Sequence, residues 1–184
     1  MTYFIIAFAF SFATTLWLVR YNRLHAHFSH DQDFDGPQKF HATSVARIGG
    51  VGIMLGLFVF WLTAIFRNHP NLVNITYLLL SGSIAFGIGL MEDITQKASP
   101  LLRLSVTALA AILSGILIDA VINRMGFDIL DTVISLPLVG LLFTAFAVAG
   151  IANATNIIDG FNGLSSIVVS TMLLSLLYVA FVVG

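Results

Sequence analysis

Amide and carboxylate side chains recur at every third position in one polar stretch of this chain. The stretch, residues 153–166, separates two strongly apolar runs and contains four such side chains: Asn153, Asn156, Asp159 and Asn162. Polar groups beside hydrocarbon are costly, so their presence there indicates a functional site. Amides can hold a sugar or a phosphate without adding charge, whereas Asp159 can coordinate a metal ion or accept a proton.

The spacing of these groups also predicts how the backbone must behave. Three residues of a continuous helix fall about 60° short of a full turn, so the four groups would spread over half of the helix circumference. We therefore expect the helix to break at Gly160, which gathers the polar groups. The alternative is a capping cluster, in which Asn162 caps the sixth helix.

Two adjacent carboxylates form a second candidate site. Glu92 and Asp93 directly follow an apolar run, where they repel each other and oppose the helix dipole. A divalent cation relieves both problems, and Mg²⁺ prefers hard oxygen ligands together with substrate phosphates. The candidate metal ligands are therefore Glu92, Asp93 and Asp159. Alternatively, the pair is ordinary solvated loop charge, neutralised by Lys97 or Arg103.

A third group of candidate residues lies in the sequence HATSVARIGG, which contains His41, Arg47, Gly49 and Gly50. Arginine binds phosphate through two parallel hydrogen bonds. Paired glycines let the backbone approach a ligand closely, or let helices pack tightly. An arginine in this loop is equally expected from membrane topology alone.

The composition of the chain indicates where these groups lie. Of 184 residues, 58% are hydrophobic and 9% are charged, and a soluble domain carries about 25% charged residues, so this is a membrane protein. Six apolar runs approach the length needed to cross a bilayer of roughly 30 Å as helices. They cover residues 2–19, 48–66, 72–91, 101–118, 136–152 and 164–183, and the fifth is the shortest. The expected fold is an all-α, polytopic membrane helix bundle with about six transmembrane helices in a single domain, 1–184.

Composition also excludes several classes of function. The net charge of -1 gives no reason to expect nucleic acid as a partner. The chain has no cysteine, so neither disulfides nor thiolate chemistry contribute. Gly52 and Gly56 are separated by three residues on the second helix, which predicts close helix packing rather than a site.

The basic residues predict the orientation of the bundle. With the N-terminus outside, the loops after the first, third and fifth helices are cytoplasmic. Six basic residues then lie inside or at the inner edge, and two lie outside: Arg20, Arg23, Lys39, Arg47, Lys97 and Arg103 against Arg67 and Arg124. This is the positive-inside bias. The three candidate segments thus share the cytoplasmic face, where they can form one site for an anionic, lipid-anchored substrate.

Three motifs carry a family resemblance. HATSVARIGG, GLMEDIT and NATNIIDGFNGL resemble, in order, those of the polyprenyl-phosphate N-acetylhexosamine-1-phosphate transferases, the group that starts O-antigen, enterobacterial common antigen and teichoic acid linkage units. The third motif is the specific one. The resemblance covers nearly the whole chain but only about the first half of a family member, which implies the N-terminal portion of a larger bundle.

The resemblance implies transfer of a sugar 1-phosphate from a UDP-N-acetylhexosamine to undecaprenyl phosphate, with release of UMP. It implies Mg²⁺ as cofactor, or Mn²⁺ in its place, and a location in the bacterial inner membrane, at the start of cell-envelope polysaccharide synthesis such as that of lipopolysaccharide O-antigen. The expected partners are the two substrates and the lipid bilayer, and a homodimer is allowed.

By the same resemblance, Glu92, Asp93 and Asp159 are the catalytic and metal-binding residues. Asp93 is the better candidate for binding metal or activating the lipid phosphate. Asn162 stands where the family commonly has Asp, so an acid–base role is not implied there. The residues implied to bind substrate are Asn153, Asn156, Asn162, Arg47, His41, Gly49 and Gly50.

Two other functions remain open at this point. Half of a transporter would use a discontinuous helix at residues 153–163 to line a substrate path, and a non-catalytic remnant would do no chemistry. Family members also carry a later Gly-Asp loop and a His-rich loop, which residues 1–184 lack. We therefore expect these 184 residues alone to be inactive as a transferase.

Overall fold

A computed structural model of the chain describes residues 2–21, 48–95, 98–158 and 163–183. Within these ranges it contains seven α-helices and no strand: α1 (Thr2–Arg20), α2 (Gly50–Phe66), α3 (Leu72–Thr95), α4 (Pro100–Ile118), α5 (Asp128–Ile134), α6 (Pro137–Ile158) and α7 (Leu164–Val183). The predicted all-α class is confirmed.

The helix lengths match those of membrane spans. Five helices are long and apolar enough to cross a bilayer, namely α1, α3, α4, α6 and α7, and α2 is an apolar helix of 17 residues. The prediction of about six membrane helices is therefore confirmed. The prediction that the fifth run is the shortest was wrong, because α6 has 22 residues and continues through Asn153 and Asn156. The shortest of the six is α2.

The membrane helices pack in the order in which they follow one another. α1 contacts α2, α2 contacts α3, α3 contacts α4, α4 contacts α6, and α6 contacts α7. Side-chain contacts show that neighbours are antiparallel: Tyr3 at the start of α1 meets Phe60 near the end of α2, and Trp61 donates a hydrogen bond to Thr76 near the start of α3. The turn between α2 and α3 is tight, with Asn68 in the left-handed conformation (φ 49°).

The closest packing joins α1 to α2 through two glycines. A Cβ atom added at Gly56 would lie 2.8 Å from Cβ of Ser11 and 3.1 Å from the carbonyl oxygen of Ala7, and one added at Gly52 would meet the hydroxyl of Thr15. Both glycines are buried. The structure thus confirms the packing interpretation of this pair.

Antiparallel order brings five helix termini to one end of the bundle. Arg20 ends α1 there, α2 begins after Gly49, α3 ends at Thr95, α4 begins at Pro100, and α6 ends at Ile158. We call this the site end. Arg103 also lies at the site end. Two other arginines lie at the opposite end of the bundle: Arg67 follows α2, and Arg124 precedes α5.

Enlarging Gly56 should separate α1 from α2. Gly56→Leu forces a side chain against the backbone of α1, and such overpacking costs about 1–3 kcal/mol. We expect a lower melting temperature in detergent for this variant. The matched control is Gly150→Leu, because Gly150 is exposed and a Cβ there meets no atom within 4 Å. Equal melting temperatures for the two variants would contradict the packing assignment.

Candidate functional site

One guanidinium group joins three helices at the site end. Arg103, in the first turn of α4, donates from Nη1 to Oε2 of Glu92 on α3 at 2.6 Å and from Nη2 to Oδ1 of Asn153 on α6 at 2.8 Å. The side chains of Arg103 and Glu92 are largely buried, with 14% and 27% of their surface exposed. Short, charge-assisted hydrogen bonds of this kind are among the stronger ones in proteins.

The local sequence explains why this ion pair forms. Glu92 lies near the C-terminus of α3 and Arg103 near the N-terminus of α4, so each charge opposes the dipole of its own helix. Ser99 caps α4 by accepting a hydrogen bond from the backbone N–H of Leu102 at 3.2 Å, and Pro100 begins the helix. The short connection fixes the two helix ends side by side, and pairing the opposite charges offsets both unfavourable placements.

A cavity of about 170 Å³ lies between α3, α4 and α6 beside this ion pair. Its lining combines small residues, which leave the space unfilled, with polar groups: Ala85, Gly89, Arg103, Leu104, Thr107, Ala149, Ala152, Asn153 and Asn156. The four residues from α6 have the spacing of a single helix face. Both asparagines therefore lie on the same side of α6, next to the cavity.

The structure corrects the expected backbone around Asn153 and Asn156. These residues lie within α6, which remains helical to Ile158, and not in a loop. Residues three apart on a helix are neighbours on its surface, so this pair needs no helix break to face one cavity. The predicted break at Gly160, and the predicted roles of Asp159 and Asn162, fall outside the described residues and stay predictions.

The acidic pair is also helical rather than part of a loop, because α3 extends to Thr95. Consecutive helical side chains point about 100° apart, and the side chain of Glu92 is the one that reaches Arg103. Glu92 thus pairs with Arg103, as the solvated-charge alternative allowed, but it is helical and largely buried rather than a solvated loop charge. Asp93, the next residue, is half-buried.

The donor chemistry of this pair fits a magnesium ion. Among the residues that the structure describes, no group of three or more His, Cys, Asp or Glu side chains is placed to hold a metal. Mg²⁺ sites in phosphoryl-transfer proteins, however, use one or two carboxylates and complete their coordination with substrate phosphates and water. Oε2 of Glu92 is shared with Arg103, and Asp93, the next residue on α3, is the second carboxylate of the predicted ligand set. The third predicted ligand, Asp159, lies outside the described residues.

The glycine pair of the first motif lies at the site end, where α2 begins. A Cβ atom added at Gly50 would be in ordinary contact with Phe86 of α3, at 3.7 Å, whereas one added at Gly49 would meet no atom within 4 Å. Gly50 therefore packs against α3 and Gly49 is open to approach. The other two residues of this motif, His41 and Arg47, fall outside the described residues.

Sequence reasoning missed the central position of Arg103. The residue appeared there as one counter-ion for the acidic pair and as one of the basic residues that predict orientation. A cation in the first turn of a helix opposes the helix dipole and gains from an acidic partner. Arg103 and Asn153 are 50 residues apart in the sequence, so no local sequence pattern predicts their contact. The Nε atom of Arg103 is buried, without a hydrogen-bond partner in the described part of the chain.

Comparison with known proteins identifies the family of this chain. Residues 75–184 match the family described as glycosyl transferase family 4. Over 184 aligned residues the chain is 25% identical to a putative UDP-N-acetylglucosamine–dolichyl-phosphate N-acetylglucosaminephosphotransferase of Saccharolobus solfataricus, covering 95% of this chain and 52% of the relative. Over 137 residues it is 28% identical to the decaprenyl-phosphate N-acetylglucosaminephosphotransferase of Mycobacterium tuberculosis, covering 68% of this chain and 32% of the relative.

The chain thus spans between a third and a half of the length of these relatives. No solved structure matches it. The family match includes α3, α4 and α6, the three helices that meet at Arg103. The chain is a membrane protein that belongs to glycosyl transferase family 4.

Proposed function

We propose that this chain takes part in transferring an N-acetylhexosamine 1-phosphate from a UDP-sugar to undecaprenyl phosphate, releasing UMP. The observation that carries the proposal is the meeting of Glu92, Arg103 and Asn153 beside a cavity at one end of a bundle of apolar helices. Family membership and the names of the two relatives, both N-acetylglucosaminephosphotransferases acting on a polyprenyl phosphate, support it.

In the proposed reaction, a phosphate oxygen of the lipid forms a new bond to the β-phosphorus of the UDP-sugar. The bond from this phosphorus to the oxygen bridging it to the α-phosphate breaks, and UMP leaves. The product is a polyprenyl diphosphate sugar. A direct attack and a two-step route through a covalent enzyme intermediate have the same overall balance. Either route depends mainly on positioning and charge neutralisation.

The proposed roles follow from charge and position. Asp93 binds the metal or activates the lipid phosphate, and Asp159 joins it in that work. When bound, Mg²⁺, or Mn²⁺ in its place, supplies positive charge to the diphosphate and to the leaving UMP. The amides of Asn153 and Asn156 line the cavity and offer hydrogen bonds to sugar or phosphate oxygens without adding charge.

The remaining motif residues complete the proposed substrate site. Arg47 and His41 contact phosphate or nucleotide, Asn162 contributes a further amide, and the open backbone at Gly49 admits close approach of a ligand.

The membrane determines how the two substrates reach this site. The lipid acceptor enters sideways from the bilayer between helices, and the soluble donor enters from the site end. We place the site end on the cytoplasmic side of a bacterial inner membrane. The distribution of arginines supports this placement, with Arg20 and Arg103 at the site end and Arg67 and Arg124 at the other.

The transporter alternative is less well supported. It requires a discontinuous helix through residues 153–163 to line the substrate path, and α6 is continuous as far as Ile158. A non-catalytic remnant would keep the bundle without turnover, so an activity measurement separates it from the enzyme.

The direct test is release of UMP by the complete gene product reconstituted in liposomes; residues 1–184 by themselves are expected to release none. With UDP-N-acetylglucosamine, undecaprenyl phosphate and Mg²⁺, we expect UMP and a lipid-linked sugar in equal amounts. Asp93→Asn should lower the rate on the order of 100-fold, because it removes a charge that acts on the reacting phosphates. The control Asp128→Asn, an exposed carboxylate at the start of α5, should keep the rate. Absence of UMP would refute the proposal.

Filling the cavity should stop turnover without unfolding the bundle. Gly89 lines the cavity, and a Cβ atom there meets no atom within 4 Å, so Gly89→Leu places its side chain into the free volume. We expect loss of UMP release with an unchanged melting temperature. The control is Gly82→Leu on the same helix, at an exposed glycine that is equally free of neighbours. Full activity of Gly89→Leu would show that substrate does not use this cavity.

A further inference from the structure

We propose that Arg103 is a positioning residue: its guanidinium sets the separation between α3 and α6 by holding Glu92 on one helix and Asn153 on the other. The kinetic consequences of this role rest on the proposed function. The geometric role does not, because it concerns the spacing of two helices whatever reaction they support.

The guanidinium is suited to this role by its shape. Its two terminal nitrogens lie at a fixed distance in one rigid plane. Nη1 donates to α3 at 2.6 Å and Nη2 donates to α6 at 2.8 Å, so the positions of both acceptors are tied to a single rigid group. A lysine carries its positive charge on a single nitrogen at the end of a flexible chain, so it cannot hold two acceptors at a fixed distance from each other.

Burial makes these contacts effective. The side chain of Arg103 is 14% exposed and that of Glu92 is 27% exposed, so water competes weakly for their hydrogen bonds and the bonds restrain the geometry more strongly. Glu92 also balances the charge of Arg103. The guanidinium therefore acts here as a neutralised structural link between helices, with its two terminal nitrogens already engaged.

Direct apolar contact between α3 and α6 does not fill the space beside Arg103. The residues that face the cavity from these helices are small, Ala85 and Gly89 on α3 and Ala149 and Ala152 on α6, and they leave about 170 Å³ unfilled. Helix α4 lies between the two and contacts both. Beside this unfilled space, Arg103 provides a polar link between the two helices.

The anchored residues lie next to the groups proposed for chemistry. Asp93 follows Glu92 directly on α3, and Asn156 lies one turn beyond Asn153 on α6. A change in helix separation therefore moves these groups relative to each other. Misplacement of reacting groups by about 1 Å can lower a rate on the order of 100-fold.

The spacing can be measured without any substrate. The chain has no cysteine, so spin labels attached to Ile94→Cys on α3 and Ile157→Cys on α6, both 48% exposed, report one distance by pulsed electron paramagnetic resonance. We expect Arg103→Met to shift and broaden the distance distribution. Arg103→Lys should broaden it as well, because charge without the rigid fork is insufficient.

The matched control is Arg124→Met, at an arginine whose side chain is 84% exposed, which should leave the distribution unchanged. If Arg103→Met does not fold, Asn153→Ala serves in its place. It removes only the hydrogen bond to α6, and by itself it should broaden the distance distribution. A distribution that is the same in wild type, Arg103→Met and Asn153→Ala would overturn the proposal.

Turnover gives a second readout. We expect Arg103→Met to lower kcat on the order of 100-fold with little change in KM, and Arg103→Met combined with Glu92→Gln to cost less than the sum of the single effects. A loss that falls on KM and is restored by Arg103→Lys would instead mean direct binding of substrate, and would overturn the positioning role. Absence of turnover in the wild type would refute the proposed function, and the distance measurement would still decide the positioning role.

Discussion

A charged guanidinium among apolar helices must be given partners, and much of the arrangement at the site end follows from that requirement. An unpaired buried charge is strongly destabilising, whereas a paired and hydrogen-bonded one is tolerated. Arg103 obtains its partners from two different helices, Glu92 of α3 and Asn153 of α6. The rotation of each helix about its own axis is thereby restricted, because any other rotation would remove an acceptor.

Small residues have two opposite consequences in this bundle. At Gly52 and Gly56 the neighbouring helix α1 occupies the space that a side chain would take, and the helices approach closely. At Gly89 and Ala152 the space stays open and becomes part of a cavity. Packing density is high in protein interiors, so an unfilled volume bordered by polar groups is consistent with a ligand site rather than with poor packing.

In the long helices that the structure describes, the charged side chains lie in first and last turns. Glu92 and Asn153 lie close to helix C-termini and Arg103 close to an N-terminus. This placement keeps charge out of the middle of these helices, where the bilayer makes it costly. It also fits the proposed reaction, in which a phosphate carried by a lipid reacts beside the membrane.

The amino-acid sequence by itself determined the fold class and the approximate helices, because the length of an apolar run is a local property. It also indicated the close packing at Gly56 and the polar character of Asn153 and Glu92. It misjudged where helices end, since a polar residue in a last turn does not interrupt backbone hydrogen bonds. Only the tertiary structure decided that one arginine joins residues 11 and 50 positions away, because that depends on how three helices are rotated and packed together.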